Sequence, residues 1–273
     1  MVETKSEIMR IQTNDGVTYL KYKILDEYDF VNHAVSTRHG GVSKGDALGT
    51  LNLGYNTKDT PANVTENYER FCKFAGFDSK NLVFGFQTHS ANVRYVTEDD
   101  RGKGIYKERD YTDVDALITD KKNVALVIHT ADCVPITYTD TKNKAIGNAH
   151  CGWRGTFDNL AEITLKEMSA RFGTNPKDVV CTIGPAICRK CYEVSEELYN
   201  QFMDKFGYTD AIISKNGKHY LDLMLINKHI LENAGVTKIA VSDLCTMCNK
   251  DDLYSHRGLG PERGLLSSII EIR

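Results

Sequence analysis

The chain has 273 residues, of which 41% are hydrophobic and 26% are charged, a composition typical of globular rather than disordered proteins. Its 34 basic and 37 acidic residues give a net charge of −3, which argues against a general nucleic-acid or membrane-surface protein. A chain of this length buries roughly three quarters of its unfolded surface, so its core needs no disulfide or metal for stability. Eight cysteines nevertheless occur, at positions 72, 133, 151, 181, 188, 191, 245 and 248.

The N-terminal sequence bears on the state of these thiols. The first sixteen residues are polar and mixed in charge, unlike a secretion signal, and no apolar run reaches the length of a membrane span. We therefore expect a cytoplasmic protein in which thiols stay reduced. In that setting a cysteine is a buried apolar residue, a metal ligand or a nucleophile rather than half of a disulfide.

Short strands and one helix are predicted in the first half of the chain. Val64, Tyr68 and Phe71 recur at three- to four-residue spacing, which predicts a helix over 63–74. Apolar runs of strand length predict strands over 19–25, 31–36, 82–86, 116–119 and 124–128.

The second half has a clearer pattern. Two apolar runs around a polar turn predict a hairpin of strands 134–139 and 144–149, and Thr156 is the predicted N-cap of a helix that ends at Gly173. Further segments are predicted as strands over 179–183, 238–242 and 265–272, and as a helix over 222–234. Strands dominate and no linker divides the chain, which predicts one α/β or α+β domain over residues 1–273, with mixed sheets and helices on their faces.

Two Cys-x-x-Cys pairs, Cys188/Cys191 and Cys245/Cys248, would supply the four thiolates of a zinc site. The 53 residues between the pairs exceed the interval of a zinc ribbon, about 15–20 residues. Two interpretations stay open, a structural zinc site and a set of buried or redox-labile thiols.

Three other segments each place a potential ligand next to a predicted strand. They contain His89, Cys133 and His150, and the third also carries the chain's only tryptophan beside Arg154 and between glycines. If the three strands lie side by side, their ends bring these side chains to one point. Two imidazoles and one thiolate suit Zn²⁺ and leave a fourth position for water or substrate.

The motifs around these residues follow one another along most of the chain. They are Ser-Thr-Arg-His-Gly-Gly-Val-Ser at 36–43, Leu-Asn-Leu-Gly at 51–54, Gln-Thr-His at 87–89, Ala-Asp-Cys-Val-Pro at 131–135, Ala-His-Cys-Gly-Trp-Arg-Gly-Thr at 149–156, Ile-Gly-Pro-Ala-Ile through Cys-Tyr at 183–192, and Ser-His-Arg at 255–257. In content and order they resemble the laccase-domain family of the YfiH type. Its members have been labelled polyphenol oxidase, purine nucleoside phosphorylase and peptidoglycan editing factor.

The resemblance implies a fold, a metal and an activity. The fold would be a single four-layer α/β/β/α sandwich related to cysteine hydrolases, with His89, Cys133 and His150 binding one metal, usually zinc. The activity would be phosphorolysis of adenosine, inosine and methylthioadenosine, with adenosine deamination as a second reaction. The partners would then be a purine nucleoside and phosphate, with no nucleic acid or membrane, and the protein would be a monomer or homodimer.

Several roles rest on residue chemistry around the trio. Asp132 beside Cys133 is a candidate for proton transfer or ligand support, or it is a loop carboxylate that accepts backbone N–H groups. Arg38 and Arg154 suit phosphate binding, or they bond loop carbonyls instead. Arg257 is a third candidate for substrate binding.

Departures from the family pattern concern the same region. Cys151 stands where the family usually has Ala or Gly and could add a thiol near the metal, and Glu262-Arg263 interrupts the usual C-terminal arginine motif. His129 could also face the site, or it is a hydrogen-bonded structural histidine. The Glu of the H-x-E motif that serves known zinc deaminases as general acid/base is missing.

Three other functions compete with the nucleoside enzyme. In a thiol hydrolase, Cys133 would be the nucleophile and His150 its base, and the enzyme would cleave an amide of a cell-wall precursor. A copper polyphenol oxidase would need many more histidines, in H-x-H pairs, whereas this chain has eight His and no such pair. A non-catalytic binding module is the fourth possibility.

Overall fold

The computed structural model describes residues 5–273. In this part of the chain the strands outnumber the helices. The helices are α1 (Pro61–Ala75), α2 (Trp153–Phe157), α3 (Leu160–Phe172), α4 (Glu196–Phe206), α5 (Leu223–Asn233) and α6 (His256–Leu259). The strands are β1 (Met9–Asn14), β2 (Val17–Tyr22), β3 (Val31–Ser36), β4 (Leu82–Phe84), β5 (Val93–Tyr95), β6 (Ala116–Thr119), β7 (Ala125–Thr130), β8 (Val134–Asp140), β9 (Ala145–Cys151), β10 (Val179–Ile183), β11 (Glu193–Val194), β12 (Ile212–Lys215), β13 (Lys218–Leu221), β14 (Lys238–Val241) and β15 (Leu266–Ile272).

These strands form two large sheets and one small sheet. The first large sheet has the order β1-β2-β3-β15-β7-β4, the second has the order β14-β10-β8-β9-β6-β5, and the small one has the order β11-β13-β12. Both large sheets are mixed, since β4 runs parallel to β7 and β10 parallel to β14 while most other pairs are antiparallel. The prediction of a mixed-sheet α+β fold is confirmed.

The two large sheets stack on each other with helices outside. Leu126 and Ile270 of the first sheet pack against Leu117 and Ile146 of the second in one buried cluster. Asn148 links the sheets further, because its side-chain amide on β9 donates to backbone carbonyls of β7 (3.0 Å) and β15 (2.8 Å). Helix α1 covers the outer face of the first sheet, and α3 and α5 cover that of the second. The order is therefore the predicted α/β/β/α.

The predicted helix after the second hairpin begins differently. Thr156 is not an N-cap but lies inside α2, where its hydroxyl accepts a 2.8 Å hydrogen bond from the Asn227 side chain. A left-handed Asn159 (φ 60°) then separates α2 from α3. The predicted end at Gly173 is confirmed, and this glycine has the left-handed conformation that favours its residue type.

Most other predicted elements are present with shifted ends. The strand predicted over 19–25 stops at Tyr22 because a 3₁₀ helix, Lys23–Glu27, follows, and the strand predicted over 82–86 stops at Phe84. Strands β1, β5 and β11–β13 and helices α4 and α6 were not predicted. No helix among residues 5–273 is long and apolar enough to cross a bilayer.

Candidate metal and active site

The three predicted ligands converge where the two large sheets meet at one end. His89 lies in the loop after β4, Cys133 in the turn between β7 and β8, and His150 on β9. One ligand atom from each lies within 4.8 Å of the others. The three strands do not share a sheet as expected, since β4 belongs to the first sheet and β9 to the second. The chain crosses from one sheet to the other at Cys133, and this crossing brings the trio together.

The backbone at two of these positions has an unusual conformation. His89 has φ 66° and the residue before Cys133, Asp132, has φ 84°, both in the left-handed region that non-glycine residues rarely adopt. Such conformations persist where surrounding contacts hold them, and they are common at functional sites.

A buried carboxylate, Asp115, holds the first of these turns. It accepts hydrogen bonds from the backbone N–H groups of Thr88 (2.8 Å), His89 (3.1 Å) and Ser90 (2.9 Å). Its side chain is fully buried just before β6, so it has no alternative partner in solvent. Asp115 therefore fixes the loop that carries His89.

The same carboxylate orients His150. Oδ1 of Asp115 lies 2.7 Å from Nδ1 of His150, and the His150 backbone N–H donates to the Asp115 carbonyl at 2.8 Å. This contact leaves Nε2 of His150 as the ring nitrogen available to a metal, as in many metal sites where a carboxylate holds the second ring nitrogen. Sequence reasoning missed Asp115. The one sequence feature that could have indicated Asp115 is an acidic residue directly before the apolar start of β6.

Cys133 and His150 favour opposite charges. Burial by itself raises the pKa of the Cys133 thiol, but the charge of His150 and hydrogen bonds from His150 and His89 outweigh burial and lower it to about 6. Burial lowers the pKa of His150, but Cys133 and Asp115 outweigh that effect and raise it to about 9. Without metal, the pair is a thiolate beside an imidazolium at neutral pH.

This pair makes alkylation of Cys133 depend on pH. In metal-free protein we expect iodoacetamide to modify Cys133 with a midpoint near pH 6, because the thiolate is the reactive form. His150→Gln should move the midpoint upward by removing the positive charge. Peptide mapping after timed alkylation measures both midpoints, and an unchanged midpoint in the variant would contradict the ion pair.

The same shifts predict the pH range of stability. Because the pKa of Cys133 is depressed, its thiolate contributes fully to the stability of the metal-free fold when the pH is above the ordinary pKa of 9.0. This contribution is lost as the pH falls through about 6. The raised pKa of His150 stabilises the fold fully below 6.5, and this contribution is lost as the pH rises through about 9. The pair should therefore stabilise the metal-free protein most between about pH 6 and about pH 9.

The trio fits a zinc ion by its chemistry and spacing. Zinc lies about 2.3 Å from thiolate sulfur and about 2.0 Å from imidazole nitrogen, so tetrahedral neighbours of these kinds are about 3.5 Å apart. Sγ of Cys133 lies 3.9 Å from Nε2 of His89. Gly152 leaves the space open, because a Cβ there would lie 3.0 Å from Sγ of Cys133 and 2.9 Å from Cδ2 of His89.

Gly152→Ala tests whether this space matters. The φ of −65° at Gly152 suits alanine, so we expect the melting temperature to change little. The added methyl group pushes against the side chains of His89 and Cys133, and we expect zinc affinity at the trio and activity to fall on the order of tenfold or more. Metal analysis and calorimetry of the two proteins separate these effects; equal metal content with lower stability would contradict the expectation.

A cavity of about 320 Å³ opens beside the trio. Its wall carries two arginines, of which Arg263 is half-buried with an Nε that has no hydrogen-bond partner among residues 5–273. Nη1 of Arg109 donates to the Gly85 carbonyl at 2.6 Å, and its guanidinium lies over the Phe86 ring. Sequence reasoning assigned a role to neither arginine. Other lining side chains are Tyr55, Phe84, Gln87 and His129.

Known proteins resemble the chain over nearly its whole length. A family model described as multi-copper polyphenol oxidoreductase laccase matches residues 32–273. The chain belongs to this family. Purine nucleoside phosphorylase YlmD from Bacillus subtilis (strain 168) is 33% identical over 246 residues, which cover 87% of this chain and 87% of the relative. Adenosine deaminase RL5, from an unknown prokaryotic organism, is 32% identical over 251 residues, 88% of this chain and 95% of the relative.

A solved structure of the laccase-like family has the same fold. The crystal structure of Bacillus licheniformis hypothetical protein YfiH superposes with a TM-score of 0.90 at 29% identity, covering 98% of this chain and 100% of that chain. These relatives support an enzyme, and the family resemblance predicted from the motifs is confirmed.

The three arginines predicted to bind substrate lie outside the cavity wall. The Arg38 guanidinium is bound to the backbone carbonyls of Asp46 and Lys250. Arg154 is exposed over the Trp153 ring, and the exposed Arg257 guanidinium bonds the Glu193 carbonyl at 3.3 Å. Their role in substrate binding stays a prediction.

Asp132 is occupied by hydrogen bonds. Its Oδ1 accepts from the hydroxyl of Thr246 at 2.6 Å, and its Oδ2 accepts from the backbone N–H of Arg257 at 2.7 Å. These contacts match the loop-carboxylate interpretation and tie the turn before Cys133 to two C-terminal segments.

His129 and Cys151 complete the neighbourhood of the trio. Nε2 of His129 lies 2.5 Å from the Tyr68 hydroxyl, and burial lowers the pKa of His129 to about 3, so this imidazole is neutral in the cavity wall. Cys151 packs in the core between β9 and α3, where burial raises its pKa well above the ordinary value. A protonated core thiol is a poor metal ligand.

Proposed function

We propose that the chain is a zinc-dependent purine nucleoside phosphorylase acting on adenosine, inosine and methylthioadenosine, with adenosine deamination as a second reaction. One observation carries the proposal: a cavity with the ligand trio on its wall also presents two arginines and two aromatic rings. The names of the relatives in B. subtilis and in the unknown prokaryote support both reactions.

His89, Cys133 and His150 would hold the zinc, since two imidazoles and a thiolate suit this ion. When bound, zinc supplies a Lewis acid that polarises an oxygen of substrate or water. We propose zinc rather than copper because the sequence has none of the H-x-H pairs that multicopper oxidases use.

Phosphorolysis needs a bound phosphate and a leaving base. A phosphate oxygen attacks C1′ of the ribose, the bond from C1′ to the purine nitrogen breaks, and the base leaves with the electron pair and gains a proton. Arg263 and Arg109 are the cations available in the cavity wall for phosphate, since guanidinium binds phosphate oxygens in pairs. The rings of Tyr55 and Phe84 offer an apolar surface for the purine.

The chain's own residues position the trio. Asp115 holds His150 in one orientation and so aims its Nε2 at the position that zinc would occupy. Asp132 acts as a positioning residue for the Cys133 turn, because both of its carboxylate oxygens are bonded. Arg38, Arg154 and Arg257 remain candidates for contacts with parts of the substrate outside the cavity.

A thiol hydrolase is the second candidate, favoured by one specific arrangement. In space, His150 lies between Cys133 and Asp115, so the three side chains have the arrangement of a nucleophile, a base and an orienting carboxylate. Such a set cleaves amides, including those of a peptidoglycan precursor, without metal.

Product analysis separates these functions. Purified protein is incubated with each nucleoside, with and without phosphate, and products are separated by chromatography. We expect a free base and a sugar 1-phosphate only when phosphate is present: ribose 1-phosphate from adenosine and inosine, and methylthioribose 1-phosphate from methylthioadenosine. Deamination of adenosine should give inosine and ammonia. Absence of any product from all three nucleosides, with cleavage of a precursor amide, would favour the hydrolase.

Arg263→Gln tests the phosphate site. Loss of a charged hydrogen-bond donor costs about 1.5–3 kcal/mol, so we expect the KM for phosphate to rise on the order of 10- to 100-fold. Arg70→Gln is the matched control, because Arg70 is an exposed residue of α1 paired with Glu66. An unchanged phosphate KM in Arg263→Gln would remove this residue from the proposal.

A further inference from the structure

The cysteines of the two Cys-x-x-Cys pairs form a second group outside the ligand trio. Their four sulfurs lie within 4.8 Å of one another. We call this group the four-cysteine cluster; its members are Cys188, Cys191, Cys245 and Cys248.

We propose that the four-cysteine cluster binds one structural Zn²⁺ ion through its four thiolates. Four thiolates at tetrahedral spacing are a common structural zinc site, and such sites keep no position open for substrate.

The fold removes the objection that arose from sequence spacing. Strands β10 and β14 are parallel neighbours, so both strands finish at the same end of the second sheet. One Cys-x-x-Cys pair follows each strand, and a bridge between Ala186 and Cys245 continues the pairing up to the cluster. The 53 intervening residues form α4, α5 and the small sheet and do not separate the pairs in space.

The sulfur positions agree with a metal site rather than a disulfide. Sγ of Cys191 lies 3.5 Å from Sγ of Cys248, whereas a disulfide bond measures about 2.05 Å. Two zinc-bound sulfurs at tetrahedral angles lie about 3.8 Å apart, given a zinc–sulfur distance of about 2.3 Å.

Backbone N–H groups donate hydrogen bonds to one of the four sulfurs, as is common in zinc–thiolate sites. Sγ of Cys245 accepts hydrogen bonds from the backbone N–H of Cys188 at 3.3 Å and of Cys248 at 3.4 Å. Donors aimed at sulfur stabilise a metal-bound thiolate and orient it. Each pair thus directs a backbone donor at the same sulfur.

Basic residues adjoin the cluster in sequence. Arg189 and Lys190 lie between the first two cysteines, and Lys250 follows Cys248 by two positions. Zinc with four thiolates would carry a net charge of about −2, and positive residues at adjacent sequence positions favour such a charge. The Arg189 guanidinium is further fixed by a 2.7 Å hydrogen bond to the Asp210 carbonyl.

The cluster also supports the turn before Cys133. Thr246, between the second pair of cysteines, donates to Oδ1 of Asp132, and the Ile187 N–H donates to the Asp132 carbonyl at 3.0 Å. Zinc would clamp both supporting segments together. No cluster residue lines the cavity, so zinc at the cluster would act on the trio only through this turn.

Metal counting on variants tests the proposal. Protein is purified without oxygen and with reductant, and zinc is measured per chain. We expect about two zinc ions in wild type and about one in Cys191→Ser/Cys248→Ser. The variant His89→Ala/His150→Ala should also retain about one, which shows that the two sites load separately. Cys72→Ala, which removes a buried thiol of α1, should keep both.

Site-resolved labelling covers the case in which the serine variant fails to fold. In wild type we expect the four cluster thiols to resist iodoacetamide and to become reactive together when a chelator removes zinc. Equal zinc in wild type and the folded serine variant would overturn the proposal, as would iron in place of zinc. Free reactivity of the four thiols before chelation, or a Cys191–Cys248 disulfide in the reduced preparation, would overturn it too.

Discussion

Cys133→Ser is expected to lower kcat/KM for nucleoside phosphorolysis on the order of 10³-fold or more, the scale seen when a central catalytic group is removed. The Cys133 thiolate is one of the three proposed zinc ligands, and its pKa of about 6 keeps it deprotonated at neutral pH. A serine hydroxyl does not ionise there and is a poor zinc ligand. Steady-state kinetics and metal analysis of the same preparations measure the loss.

Cys151→Ala is the matched control, since it removes a thiol from a neighbouring position. Its side chain packs in the core and its pKa is raised by burial, so it contributes nothing to the trio. We expect activity within a few-fold of wild type and a small loss of stability. If Cys133→Ser kept its zinc and its activity while Cys151→Ala lost both, the ligand assignment would be wrong.

Asp115→Asn is expected to weaken metal binding about 10- to 100-fold and to lower activity in parallel. The asparagine amide cannot accept from His150 and from three backbone N–H groups as the carboxylate does. A broken buried ion pair costs about 3–5 kcal/mol, so the melting temperature should also fall. Zinc titration, kinetics and calorimetry measure the three effects.

Asp113→Asn controls for the lost charge. Asp113 is exposed two residues earlier and bonds the side chains of Thr88 and Asn92, so the substitution removes the same charge without touching His150. We expect near-normal zinc affinity. A purely structural role for Asp115 would lower stability in Asp115→Asn while the zinc affinity of the folded fraction stayed normal.

The sequence was informative about the ligand trio for a local reason. Cys133 directly precedes a strand, His150 lies near the end of one, and His89 lies in the loop that follows one. Ligand residue types near strand ends tend to meet at the end of a sheet. The three side chains do not come from neighbouring strands of one sheet as the sequence suggested, because the chain crosses between the two stacked sheets at Cys133.

Groups that support the trio could not be recognised in the same way. Asp115 acts through hydrogen bonds to residues 25–27 and 35 positions away, and no local pattern encodes those contacts. Arg263 and Arg109 reach the cavity from loops whose course depends on the whole fold. By contrast, Arg38 stands in a conspicuous motif yet bonds backbone carbonyls.

A local pattern also misled at one helix start. Thr156 has the residue type of an N-cap, but a short helix already begins at Trp153 after the Gly152 turn. This error arises because tertiary contacts override short-range preference. The 53 residues between the cysteine pairs left the zinc and free-thiol interpretations open, and this interval says little about distance in space once β10 and β14 are neighbours.

The most direct test of zinc-dependent phosphorolysis is phosphate-dependent release of adenine from adenosine before metal removal, after it, and after zinc is returned. We expect base release in the native protein, loss of release when metal analysis shows the protein to be metal-free, and recovery with zinc. Undiminished release from fully metal-free protein would contradict this expectation, as would the absence of release from protein whose His89, Cys133 and His150 site is loaded with zinc.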